Sequence, residues 1–221
     1  MDDCCVDAAD GADRYEPVFT GRFAERIARR YAKDGLTPPE RRIVEFLADE
    51  VGVQGATVLE IGGGIGEIQI ELIKRGASAS VNLELSSAYE EVAGRVAAKA
   101  GTAHAMTRRI GVDLALHPEA VDVADVVILH RVVCCYPDAT RLLAAAAGRA
   151  RRVVVFTHPP RDPLTRLAAA SGNLLMRLQR KTYRGYVHSP DAMVAVLEHR
   201  GFEARYRQRA GSWRVVGAVR A

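Results

Sequence analysis

Four glycines in five positions, Gly62, Gly63, Gly64 and Gly66, follow the run Val58-Leu59-Glu60-Ile61. Residue types in this order describe a buried strand, a tight turn and the start of a helix. Glycine lets the backbone take positive φ and lets a ligand come close to the main chain. A helix N-terminus adds N–H groups that have no intrahelical partner. Open α/β sheets take up ligands at the carboxyl ends of their strands, so the segment reads as a cradle for a nucleotide-like molecule. The dinucleotide fingerprint G-x-G-x-x-G is not met, because its third position falls on Glu67 or Gln69, and no Gly-Lys-Ser/Thr follows to make a phosphate-binding loop. The pattern that is met is acid-x-Gly-x-Gly-x-Gly, at Glu60, Gly62, Gly64 and Gly66. An anion at Glu60 suits a cationic ligand better than a pyrophosphate, which it would repel.

Two further segments carry residues that could do chemistry. Ser80 to Ser86 alternates like a strand and ends in Glu84, 18 residues past Gly66, where nucleotide-binding α/β folds keep an acid for ribose hydroxyls. Ala124 to Leu129 is an apolar run that suits a central parallel strand, followed by His130-Arg131-Val132-Val133-Cys134-Cys135-Tyr136-Pro137-Asp138. His130, and His158 at the end of a later strand, have the side chain whose ordinary pKa fits a general base near neutrality. The plainer reading of His130 is a histidine that only hydrogen-bonds the backbone at the strand end, and that of His158 a turn residue before Pro159-Pro160. Tyr136 reads as a pocket wall.

The glycine pattern, Glu84 and the HRVVCCYPD segment together resemble the first, second and fourth motifs of class I S-adenosylmethionine-dependent methyltransferases. The last segment also resembles a bacterial subgroup of undefined substrate and, more distantly, the magnesium-protoporphyrin methyltransferases. The resemblance covers residues 40 to 160 best. It implies S-adenosyl-L-methionine as methyl donor and transfer to a small-molecule acceptor. It places Glu60, Gly62, Gly63, Gly64, Gly66 and Glu84 at the donor, with Asp113 and His130 beside it. At Arg109-Ile110-Gly111-Val112-Asp113 the chain departs from the subgroup, which has Gly followed directly by Asp; Asp113 reaches the adenine amine only after a local backbone shift, or a main-chain N–H reads it instead. Two other functions stay open: a catalytically silent adenosyl-binding or scaffold protein of the same fold, and a nicotinamide oxidoreductase, which the missing third glycine opposes. No Asn/Asp-Pro-Pro-Tyr/Phe run is present, which speaks against amino-group methylation of nucleic acid or glutamine.

These residues need a scaffold, and the remaining pattern supplies one. Strands expected at 57–61, 79–85, 103–110, 125–130 and 152–157 alternate with helices at 67–75, 87–101 and 138–148, which argues for a parallel sheet. Ser189-Pro190-Asp191 starts a further helix, and 202–209 with 213–219 form a hairpin across Ala210-Gly211-Ser212. The fold class is therefore α/β: a doubly wound, Rossmann-like, seven-stranded sheet, mostly parallel, with an antiparallel C-terminal hairpin edge. Residues 1–40 are expected as a tail and helix that could form a lid, with Tyr15, Phe19, Phe23 and Tyr31 closing the pocket or forming a buried stripe. Residues 41–221 form the main domain, and 158–188 an insertion at the substrate pocket. In that insertion Leu164, Leu167, Ala168, Leu174, Leu175 and Leu178 follow helical spacing among Arg166, Arg177, Arg180 and Lys181. It reads as a lid for a bulky apolar acceptor, as a helix packed on the sheet, or as an amphipathic membrane contact; Ser171-Gly172-Asn173 is expected to interrupt the helix and counts against the last.

With 221 residues and 48% hydrophobic content, the chain can bury one sizeable core. It has no apolar run of about 20 residues to span a membrane, and its acidic N-terminus lacks the charge pattern of a secretion signal. A cytoplasmic location is the expectation. Residues 151–221 hold 14 Lys+Arg against 4 Asp+Glu. That basic half could attract an anionic substrate, although 27 arginines against 4 lysines also suit a solvated surface of biased composition. Aromatics are not interleaved with the cations, which argues against nucleic acid. The cysteines form two adjacent pairs, Cys4-Cys5 and Cys134-Cys135, without C-x-x-C spacing, so no metal site is expected; Cys134 and Cys135 read as small apolar residues beneath the site.

Overall fold

The computed structural model describes residues 14–221. Seven strands run in the order β3-β2-β1-β4-β5-β7-β6. They are β1 Thr57–Ile61, β2 Ala79–Glu84, β3 Met106–Ile110, β4 Ala124–Leu129, β5 Ala150–His158, β6 Phe202–Ala210 and β7 Trp213–Arg220. The first five pair in parallel, and β7 pairs antiparallel with both β5 and β6. The expected fold class is what the chain adopts. Its order reverses between β1 and β4, which opens a crevice at their carboxyl ends.

Strand alternation assigns residues to the two sheet faces. Val127 and Leu129 of β4 pack with Leu59, Leu142, Val154, Phe156 and Leu197 on the face covered by α5 (Ala139–Arg149) and α7 (Pro190–Glu198). Val126 and Ile128 pack with Val58, Ile43, Phe46, Ile68 and Val155 on the face covered by α2 (Pro38–Glu45) and α3 (Glu67–Lys74). Fully burying such a side chain contributes roughly 1.5–3 kcal/mol, so a one-residue slip of β4 would reverse both faces at once. A smaller cluster joins α1 (Gly21–Asp34) to α4 (Glu90–Ala100) through Ala24, Ala28, Tyr89 and Val92.

Local chemistry explains the boundaries and a few differences from expectation. Ser86, rather than Ser87, caps the turn before α4 by accepting from the Ala88 N–H at 3.3 Å, and Asp138 caps α5 by accepting from Arg141 at 2.9 Å. Helix α2 is α-helical only to Glu45, and the chain then widens into a π-helical turn at Phe46–Val51. Helix α6, Pro163–Leu178, is continuous over 16 residues. The expected break at Ser171-Gly172-Asn173 does not occur, because Asn173 is held from outside: its side chain donates to the Gly185 carbonyl and accepts the Gly185 N–H, both at 2.8 Å. Among the described residues no helix is long and apolar enough to cross a membrane. The pair Cys4-Cys5 lies outside the described residues.

Candidate functional site

A cavity of about 210 Å³ opens at the carboxyl ends of β1, β2 and β4. Its floor is the turn after β1. Gly62 sits at φ +62° and donates to the Leu83 carbonyl at 2.7 Å; a Cβ there would come within 2.7 Å of Val132 Cγ2. Gly63 donates to Asn82 Oδ1 at 3.1 Å and Gly64 to Glu84 Oε2 at 3.0 Å. Gly66, at φ +84°, is the N-cap of α3 and lies behind the cavity wall, outside the lining formed by Gly62, Gly63 and Gly64.

Glu84 closes the adjoining wall. Its Oε1 accepts from Leu85 at 2.9 Å and Ser86 at 3.3 Å, so three backbone N–H groups hold the carboxylate at the cavity. Burial nevertheless raises its pKa above the ordinary carboxyl value. Glu60, alternating with Leu59 and Ile61, points to the α2/α3 side. It is buried, and its Oε2 has no hydrogen-bond partner. Burial, with Glu67 nearby, pushes its pKa well up.

A charged network meets Glu60 there. Arg30 of α1 reaches Glu40 Oε2 at 3.4 Å and Glu67 Oε1 at 3.1 Å. Glu40 belongs to the capping box of α2, its Oε2 accepting the Thr37 N–H at 2.7 Å. Burial works against ionisation of Glu40, but the facing His130 and the Thr37 N–H outweigh it and hold the pKa at about 2. Glu67 is pushed up to about 7 by burial and by the Glu40 charge. Five carboxyl groups, Glu40, Glu60, Glu67, Glu84 and Asp113, therefore line the cavity against the guanidinium groups of Arg30 and Arg131. A cation entering it would favour ionised Glu60 and Glu67.

The two histidines are placed differently. His130 lines the cavity, with Nδ1 at 3.1 Å from Thr157 Oγ1 and Nε2 at 3.6 Å from Glu40 Oε1. Thr157 Oγ1 also accepts the Arg131 N–H at 2.9 Å, which secures the φ +59° of Arg131. A Thr157 hydroxyl donating to Nδ1 leaves the Nε2 proton facing the Glu40 carboxylate. Burial keeps the ring below its usual pKa, hence neutral. His158 does not line the cavity; its Nδ1 lies 2.8 Å from the Pro159 carbonyl oxygen. The structure thus brings one of the two candidate bases to the site and leaves the other out of it.

Asp113 reaches the cavity, but Tyr136 donates to both its oxygens at 3.0 and 3.1 Å, and Ala115 N–H to one at 2.9 Å. Tyr15, Phe19 and Phe23 close the N-terminal side, whereas Tyr31 turns away to Glu71 at 2.7 Å. Tyr183 joins that cover, 5.8 Å from the Phe19 ring. Cys135 is not a buried apolar filler: it lines the cavity, with its Sγ 3.0 Å from Tyr183 Oη. Sequence reasoning missed Arg30, Glu40, Thr157 and Tyr183. Only Glu40 had a local signal, the Thr37-Pro-Pro-Glu40 capping box.

No protein-family model matches the chain, and no curated protein matches it. Solved structures do. Magnesium protoporphyrin IX methyltransferase from Synechocystis PCC 6803 with bound S-adenosylhomocysteine is 22% identical, with 90% of this chain and 87% of that one covered at a TM-score of 0.66. An O-methyltransferase family protein from Burkholderia thailandensis is 17% identical, with 96% of this chain and 64% of that one covered at a TM-score of 0.71. Geranyl diphosphate C-methyltransferase from Streptomyces coelicolor A3(2) is 14% identical, with 82% and 77% covered at a TM-score of 0.63. At these identities the likeness establishes the fold.

Proposed function

We propose that this chain, which has the fold of the class I methyltransferases, binds S-adenosyl-L-methionine in the crevice at β1, β2 and β4 and transfers its methyl group to a small molecule. The observation that carries the reading is the coincidence of an open glycine turn, the Glu84 carboxylate held by three N–H groups, and the unpartnered Glu60 Oε2 around one cavity. The solved structures with bound S-adenosylhomocysteine support it.

S-adenosyl-L-methionine supplies an electrophilic methyl carbon on a sulfonium cation. Under this proposal Glu84 accepts from the ribose hydroxyls and the Gly62–Gly64 backbone admits the ligand at close range. Glu60 and Glu67 would face the ligand's cationic groups, which favour their ionised forms, and Arg30 would hold the amino-acid carboxylate. Asp113, fixed by Tyr136, stands at the adenine end. His130, its Nδ1 3.1 Å from Thr157 Oγ1 and its buried Nε2 facing Glu40 Oε1 at 3.6 Å without a hydrogen bond, acts as a positioning residue for Glu40 rather than as a base. The chain's catalytic task is then mainly to orient the acceptor against the methyl carbon and exclude water. Tyr15, Phe19 and Phe23 make the acceptor side aromatic, which favours a small apolar acceptor, and α1 serves as the cover over it.

Calorimetric titration with S-adenosylhomocysteine, on wild type and Glu84→Gln, tests this. The amide keeps the side chain's shape and one side-chain oxygen to accept from the backbone N–H groups. Micromolar binding that weakens tenfold or more, about 1.4 kcal/mol, supports the reading; no binding by wild type rejects it.

A further inference from the structure

Of the seven α-helices in the described residues, α6 alone buries none of its residues. The side turned to the protein is mixed, with Thr165, Ala169, Asn173 and Met176 as its half-buried positions. Leu164, Leu167, Leu174, Leu175 and Leu178 are 50 to 76% exposed. At about 100° per residue these leucines share an arc of roughly 100°, opposite the half-buried side. A row of apolar side chains on a helix's outer face marks an interaction surface. No residue of α6 lines the cavity.

The charges beside the leucines identify the occupant. Arg166 and Arg177 run along one flank of the arc, and Arg161, Arg180 and Lys181 stand at its ends. Residues 163–190 contain no acid. Among the described residues none of these five cations forms a salt bridge. A second copy seated on this face would bring cationic flanks together, and an acidic surface would neutralise them. We infer that α6 is an in-plane docking helix for an anionic lipid bilayer, with its leucines at the acyl boundary and Arg166 and Arg177 among the headgroup phosphates. The segment after α6 ties this surface to the cavity rim: Tyr183 Oη lies 3.0 Å from Cys135 Sγ, and the Tyr186 main-chain N–H donates to the Cys134 carbonyl at 2.7 Å.

The test is flotation of the full chain with vesicles of phosphatidylcholine alone or mixed with phosphatidylglycerol, at low and high salt, with light scattering in parallel. Binding is expected only to the phosphatidylglycerol vesicles and weaker at high salt. It should fall at least tenfold in Leu167→Asp/Leu174→Asp and in Arg166→Glu/Arg177→Glu. All four positions are exposed, so thermal unfolding of both variants should match wild type. Wild type that stays off the anionic vesicles, or leucine variants that float as wild type does, overturns the inference. A wild-type dimer that Leu167→Asp/Leu174→Asp makes monomeric, without vesicle binding, gives the face to a second copy instead.

Discussion

Gly62→Ala should destabilise the protein by an amount that Val132 controls. Gly62 sits at φ +62°, and placing an L-residue in the left-handed region costs about 1–2 kcal/mol. The added Cβ would also lie 2.7 Å from Val132 Cγ2, whereas Val132 Cβ is 3.9 Å away. Carbon atoms prefer about 3.5–4.0 Å, so the γ-methyl alone causes the overlap, and overpacking of this kind costs typically 1–3 kcal/mol. The single variant is therefore expected to lose about 2–5 kcal/mol. In Val132→Ala the nearest remaining atom is at ordinary contact distance, and adding Gly62→Ala to it should cost only the backbone part. Urea unfolding of the four proteins in a double-mutant cycle should give a coupling energy of about 1–3 kcal/mol. A Gly62→Ala loss below about 0.5 kcal/mol, or no rescue by Val132→Ala, would refute the close packing of the β1 turn against the segment after β4.

Glu67 and Glu40 predict opposite pH dependences. The folded pKa of Glu67 is raised from 4.5 to about 7, so its protonated form favours folding below about 4.5 and the contribution is lost as pH rises to 7. The full effect is of order 3 kcal/mol, and Glu67→Gln should flatten that limb in urea unfolding; an unchanged slope would remove the assignment. The folded pKa of Glu40 is lowered to about 2, so its contribution is present above about 4.5 and lost as pH falls towards 2, which Glu40→Gln should abolish. Thr157→Val leaves the Arg131 N–H without its acceptor and should cost about 1–3 kcal/mol; a neutral result by thermal unfolding would mean the loop finds another partner. Phe19→Ala should weaken S-adenosylhomocysteine binding by up to tenfold in calorimetry, because Phe19 joins Tyr15, Phe23 and Tyr183 over the cavity; wild-type affinity would show that this aromatic cover does not touch the ligand.

Much of the scaffold was legible because its signals are local. The apolar run into Glu60, the glycine turn and Glu84 at a strand end can be read from neighbours a few residues apart, as can the proline-led start of α7 and the two-residue hairpin turn at Gly211-Ser212. Reading failed where a distant residue overrode a local signal. Ser171-Gly172-Asn173 has poor helix propensity, yet Asn173 stays helical because its amide grips Gly185.

The sequence by itself determined that the chain would form alternating strands and helices, and that a glycine turn and an acid would stand at the ends of its first two strands. Only the tertiary structure decided what these residues meet. Sheet order brings β4 beside β1, and strand alternation turns Glu60 toward α2 and α3, where Arg30, Glu40, Glu67 and His130 converge from segments far apart in the chain. The protonation of Glu40, Glu67 and His130 follows from that burial and proximity. Propensity and periodicity act over a few residues, whereas desolvation and pairing of charges depend on which elements pack together.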